Sequence, residues 1–150
     1  MSATVGNGGA SDVKLDDLPV STELVQLLME LGYVACGRGL QANAEGIFEG
    51  LIRARPNSEL PLVGLAIAKI NFGDFLCASK ILAERALKIN PNSGLAKSFL
   101  AITSRALGWE KEAEALANEV LANEVAEPEA KALAGSFLSG KDIPAPTVSS

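Results

Sequence analysis

A period of 34 to 35 residues runs through this chain. Gly39, Gly73 and Gly108 stand 34 and 35 residues apart, while Ala44, Ser79 and Ala113, and likewise Phe48, Ala83 and Ala117, stand 35 and 34 apart. Pro56 and Asn57 recur 35 residues later as Pro91 and Asn92, each pair followed by serine, and Pro128 is a looser third copy. A unit this small buries its apolar face only by stacking on its neighbours. Within the units the apolar spacing is helical. Leu24, Leu27, Leu28, Leu31 and Val34 share one 3.6-residue stripe, and Ile81, Leu82, Ala86 and Ile89 share another, whereas no stretch alternates as a strand does. Glycine admits the left-handed backbone that ends a helix, and proline keeps one helix from running into the next. Small Ala44, Ser79 and Ala113 let the second helix of a pair approach the first, and Phe48 is expected to fill the gap between neighbouring pairs. The expected fold is all-α, a helical domain over residues 21–139 built from about three helix hairpins. A short capping helix over 129–138 closes it, and flexible tails rich in Gly, Ser, Thr and Pro occupy 1–20 and 140–150.

Composition narrows the chemistry. Hydrophobic residues make up 48% of the 150 but aromatics only 5%, so the core must come from Ala, Leu, Ile and Val. Histidine is absent, which removes imidazole bases, the nucleophile systems that depend on them and the commonest zinc ligand. Cys36 and Cys77 lie far apart in apolar helical contexts and read as free thiols of a reducing compartment. A net charge of −5 gives no general attraction to nucleic acid or anionic lipid. The longest apolar stretch, residues 60–68, is interrupted by Pro61 and Gly64 and is about half the ~20 residues a membrane span needs. The N-terminus lacks the basic and apolar segments of a secretory signal. A cytoplasmic protein without cofactor or metal is expected. Gly135, Gly140 and Lys141 have the spacing of a phosphate-binding loop, but Asp142 stands where Ser or Thr is needed and no strand precedes, so they read as a helix end. The carboxylate pairs Asp16 with Asp17 and Glu127 with Glu129 fall in a tail and at a helix boundary. No nucleophile, base and orienting group assemble, and an enzyme is not expected.

The repeated unit of helix, Gly turn, helix and Pro-Asn turn resembles the tetratricopeptide repeat. In the first unit Leu28, Leu31, Gly32, Ala44, Phe48 and Pro56 fall where that motif has its large, Leu, Gly, Ala, aromatic and Pro residues. The second unit keeps Ala66, Ala83 and Pro91, with Ile67 at the helix-contact glycine, and the third keeps Leu100, Ala101, Ala113 and Ala117. No unit has the tryptophan of the motif's first helix. The resemblance covers residues 24–127 and implies a right-handed superhelical array with a concave face lined by the first helix of each pair. More narrowly, the stretch from Arg55 to Leu60, the helix that follows to Gly73, and the stretch from Ala96 through Gly108 resemble HrpK-type proteins of bacterial type III secretion. A more distant likeness is to YscG-type needle-subunit chaperones. These families imply a cytosolic chaperone or accessory protein that shields an aggregation-prone amphipathic helix of an export or needle subunit, sometimes beside a second small chaperone.

In such an array the inward positions are Gln26, Met29, Tyr33 and Cys36 in the first unit, Gly64, Ala68, Asn71 and Phe72 in the second, and Leu95, Ser98, Ile102 and Arg105 in the third. A lining of adaptable Met29, flat Tyr33 and Phe72, and small Gly64 and Ala68 suits the apolar face of a partner's amphipathic helix, each anchor contributing on the order of 1.5–3 kcal/mol before ordering costs. The tetratricopeptide clamp for acidic chaperone C-termini needs Lys, Asn and Arg converging, and only Asn71 and Arg105 resemble parts of it, so that partner is not expected. Charge is segregated. Residues 1–52 carry seven acids and two bases, 53–105 three and eight, and 106–150 eight and three. A basic middle between acidic ends steers an acidic partner or supports staggered self-association. The alternative role is a scaffold that joins two proteins without chaperoning either.

Overall fold

The computed structural model describes residues 20–140, and within them the chain is helical with short turns and no strand. Ser21 opens α1 (Thr22–Gly37), its hydroxyl oxygen accepting the Leu24 N–H at 3.1 Å. Then follow α2 (Gln41–Ala54) and α3 (Leu60–Asn71), which has Pro61 in its first turn. Helix α4 starts at Phe75–Ile81 behind an Asp74 cap and runs through a π-helical turn, Leu82–Ala86, into Leu87–Ile89. Ser93 caps α5 (Gly94–Ala106) by accepting from Ala96 N–H at 3.2 Å. The last two helices are α6 (Glu110–Ala122) and α7 (Pro128–Ser139). The periodic glycines end helices as expected: Gly39, Gly73 and Gly108 have φ of 74°, 83° and 86°, a region strained for any residue with a Cβ.

Three hairpins, α1/α2, α3/α4 and α5/α6, pack in sequence, and α7 lies against both helices of the third. Tails at 1–19 and 141–150 fall outside the described residues. The main core centres on α3, buried from Pro61 through Ala68. Phe48 joins the first two hairpins. Its ring is fully buried between two glycines, where a Cβ on Gly32 would come within 2.5 Å of it and one on Gly64 within 2.4 Å. The glycine admitting the ring in the second unit is therefore Gly64, not a residue at the Ile67 position, and Ile67 is an ordinary core side chain.

The repeat register also differs from the sequence reading by one residue in the second unit. Counted from the left-handed glycine, Ala44, Ala78 and Ala113 are equivalent, as are Phe48, Leu82 and Ala117, and all six are fully buried. Ser79 and Ala83, the matches suggested by the 35-residue spacing, sit one position too late, and Ala83 is exposed. Gly73 to Pro91 holds one residue more than Gly39 to Pro56. The π-helical turn at Leu82–Ala86 absorbs it, since a π turn is a one-residue insertion into an α-helix.

At the far end Ala101, Ala113, Ala117 and Val120 pack against Ala130, Ala134 and Phe137 of α7. Ala117 leaves room where the first unit has Phe48, and α7 brings its own aromatic ring to that end. At the near end α1 has no described element beyond it, so Leu24, Leu27 and Leu31 of the expected core stripe are exposed.

Candidate functional site

Helices α1 and α3 lie side by side, each being the first of its hairpin. A cleft of about 670 Å³ opens between their N-terminal ends, with Gln26 and Met29 on one wall, Pro61 and Leu60 on the other and Arg55 at its margin. Pro61 has no N–H and sits where an N-terminal turn would leave one unsatisfied, so the wall it forms is apolar without a backbone cost. The Arg55 guanidinium is tied down by donating to the carbonyls of Val20 and Ala54.

Further along α1, Tyr33 is half-buried and leans on Phe48, the ring centroids 5.3 Å apart and tilted by 54°. Burial pushes its phenol up to about 12, and neighbouring Cys36 adds in the same direction. Cys36 is buried, and burial raises its thiol while a hydrogen bond with Asn71 at the end of α3 works the other way. Asn71 is exposed and Phe72 half-buried at the α3 terminus. Gly64 and Ala68, expected to line the groove, are fully buried in packing: Gly64 faces the Phe48 ring and Ala68 has no exposed surface.

The third unit departs most from expectation, because α7 packs on it. Ser98 is buried, and its hydroxyl donates to the Ala130 carbonyl at 3.0 Å. Leu95 and Ile102 are half-buried beside the α7 cluster. Arg105 is committed three times over. Its Nε donates to both carboxylate oxygens of Glu110 at 2.8 Å, its Nη1 donates to the Phe137 carbonyl at 3.1 Å, and its guanidinium lies 3.6 Å from the centroid of the Phe137 ring. Of the expected lining, Gln26, Met29, Asn71 and Phe72 present surface around the first two units. Ser98 and Arg105 serve the closing helix.

Sequence reasoning missed a second surface. A groove of about 510 Å³ between α4 and α6 is lined by Leu76, Ala83, Leu100, Trp109 and Leu116, with Leu76 and Trp109 half exposed. The signal lay in the sole tryptophan standing immediately before a helix, a position with little core to fill. The phosphate-loop spacing comes to nothing in the described residues, where Gly135 to Ser139 are helical and Gly140 is a left-handed stop. Among the described residues no three Cys, Asp or Glu side chains gather as a metal site, and no helix is long and apolar enough to cross a membrane.

No protein-family profile matches the chain, and no curated protein sequence matches it. Solved structures do. The type III secretion translocator chaperone SycD of Yersinia enterocolitica superposes with a TM-score of 0.66 at 19% identity, over 80% of this chain and 89% of that one. PcrH of Pseudomonas aeruginosa gives 0.66 at 22%, over 81% and 94%. The first tetratricopeptide domain of Spaghetti (RPAP3), bound to an HSP90 peptide, gives 0.62 at 21%, over 81% and 95%. The fold is a tetratricopeptide-type array. At these identities the likeness defines architecture, and such arrays bind proteins through surfaces that their stacked hairpins leave open. In this tetratricopeptide-type chain the α1/α3 cleft is a surface that the stacked hairpins leave open.

Tyr33 offers a test of the packing beside that cleft. Its folded-state value of about 12 lies above the ordinary 10.0, so burial of the neutral phenol stabilises the fold fully below pH 10. That contribution is lost as pH rises through about 12. A difference of this size corresponds to about 2–3 kcal/mol. Urea unfolding at stepped pH should show wild type losing more stability over this window than Tyr33→Phe. Parallel losses would show that the phenol is solvated.

Proposed function

We propose that this chain is a non-catalytic protein-binding module that acts in the cytoplasm as a chaperone or accessory protein of a type III secretion system. In this reading the cleft between α1 and α3 receives apolar side chains from a helix of an export, translocator or needle subunit. The observation that carries the reading is the open, mainly apolar cleft with adaptable Met29 on one wall and proline on the other. Support comes from the neighbours: SycD is a type III secretion translocator chaperone, and PcrH is known in complex with the chaperone binding region of PopD, a structure that superposes here with a TM-score of 0.64. An acidic peptide of the HSP90 kind is a poor fit, because Arg105 is already engaged with Glu110 and α7. A second copy or a small co-chaperone would cover the exposed α1 leucines, and light scattering of the purified chain reads that directly.

Co-expression with translocator or needle subunits from the same genome tests the chaperone role. Met29→Asp is expected to weaken capture of the client roughly 100-fold, since it places a charge against an apolar anchor of the cleft. Phe72→Asp, at the opposite end of α3, weakens capture only if the client helix runs the length of that helix. Both variants should keep the wild-type helical circular dichroism, and because Met29 also packs in part against the main core, the uncharged, similarly sized Met29→Gln separates lost anchoring from lost stability. Tyr33→Asp is unsuitable here because Tyr33 supports Phe48. The scaffold reading has its own observation in the α4/α6 groove with Leu76 and Trp109. A client that stays soluble without this protein, and whose capture survives Met29→Asp but not Trp109→Ala, would establish scaffolding instead.

A further inference from the structure

We propose that the groove between α2 and α4, formed by the second helices of the first two hairpins, is a docking surface for an acidic amphipathic helix. The groove encloses about 350 Å³. Its floor is apolar, made by Ile52, Leu65 and Ile81, and its two walls carry Arg53 on α2 and Arg85 on α4. Both arginines are exposed, and neither makes an ion pair or side-chain hydrogen bond among the described residues. Lys69 lies at the groove and is already paired with Glu45 at 3.0 Å, leaving Glu49 as the carboxylate in the lining that opposes the two guanidinium groups.

Charge complementarity defines the occupant. The chain as a whole is acidic, at −5, yet this groove sets two unpaired guanidinium groups against one carboxylate, Glu49, across an apolar floor. Guanidinium forks prefer carboxylates, which they hold through paired hydrogen bonds. The lining positions on α4, Cys77, Ile81 and Arg85, span about two helical turns, roughly 12 Å at 1.5 Å per residue. Two turns of a partner helix match that length, with leucines at i and i+3 or i+4 on the floor and Glu on both flanks. Among the described residues a second copy of this chain offers one comparable stripe, the exposed Leu24, Leu27 and Leu31 of α1 beside Glu23 and Glu30. Self-association of the purified chain that Arg53→Glu with Arg85→Glu abolishes would make that copy the occupant and overturn the assignment to a separate partner. The acidic α6 turns its apolar side into the core and holds Glu110 and Glu119 in ion pairs with Arg105 and Lys97. The surface lies apart from the α1/α3 cleft, and the proposal does not rest on that cleft's function.

Cys77 provides the reporter, being partly exposed in this groove whereas Cys36 is buried. The probe is a labelled, end-capped 16-residue helical peptide with a leucine stripe flanked by Glu, compared with the same peptide carrying Lys for Glu. The Glu peptide is expected to bind by fluorescence anisotropy, to slow modification of Cys77 by a thiol reagent and to weaken with added salt. Arg53→Glu with Arg85→Glu should lower its affinity at least tenfold, and the milder Arg53→Gln with Arg85→Gln should lower it less while keeping the wild-type melting profile. Equal binding of the two peptides, an unprotected Cys77, or affinity indifferent to the arginine changes would overturn the proposal. So would binding that is lost on Met29→Asp, which would place the peptide in the cleft.

Discussion

Phe48→Ala is expected to destabilise the fold by about 3–5 kcal/mol, the range for removing a fully buried aromatic side chain, and to lower the melting temperature by on the order of 10 °C. The size follows from what surrounds the ring. It is in contact with both glycine backbones and with Tyr33, so its removal opens a cavity between two rigid helices that cannot collapse inwards. The partner substitution makes the argument specific. Gly64→Ala in the wild type puts a Cβ 2.4 Å from the ring and should cost about 1–3 kcal/mol by overpacking. In the Phe48→Ala background the same methyl group enters free space, and its cost should vanish or change sign. The coupling measured by the double-mutant cycle should then be at least 1 kcal/mol. If Gly64→Ala costs the same in both backgrounds, the ring is not what demands glycine at that position.

The contact between Phe48 and its two glycines also shows what was legible in the sequence. Helix ends were readable because glycine with positive φ and a proline beyond the next helix are local requirements, which neighbours cannot override. The array itself was readable because equivalent residues must meet equivalent neighbours in every unit. Register inside α4 was not readable from spacing alone, since a 35-residue interval does not say where the extra residue goes. The full burial of Ala78 and Leu82 places it in the π turn. Counting from the glycines alone would have found the correct equivalence, because a left-handed stop is fixed in three dimensions whereas a small residue is interchangeable with its neighbour.

The candidate site was less legible for a related reason. A face position states which way a residue points within an ideal unit, not whether another segment has come to rest on it. Gly64 and Ala68 point toward Phe48 and the interior because the hairpins pack closely enough to consume small residues. Ser98 and Arg105 looked like isolated polar groups in a groove, and they became the anchors of α7. Nothing in their own spacing announced Ala130 or Phe137. The exposed Leu24, Leu27 and Leu31 are the converse case, an apolar stripe that stays in solvent because no described helix covers it.

Phe137→Ala is expected to cost about 3–5 kcal/mol as well, and to do so locally. Phe137 is 2% exposed, and its loss removes both the ring under the Arg105 guanidinium and the largest apolar side chain that α7 contributes to its cluster. What remains of α7's grip is the hydrogen bond from Ser98, the one from Arg105 to the backbone carbonyl at position 137, the burial of small Ala130 and Ala134, and the partly buried Leu133 and Leu138. Stacked units respond to such damage at the end where it occurs, since each contacts only its neighbours. Hydrogen exchange should therefore show α7 amides losing protection while α3 keeps the wild-type rate, and Leu95 and Ile102 should become reachable from solvent. Arg105→Gln should move the same amides in the same direction by a smaller amount. Uniform loss of protection from α1 to α7 would mean instead that the closing helix is part of one cooperative core. The third unit would then have no face that could be opened to a partner.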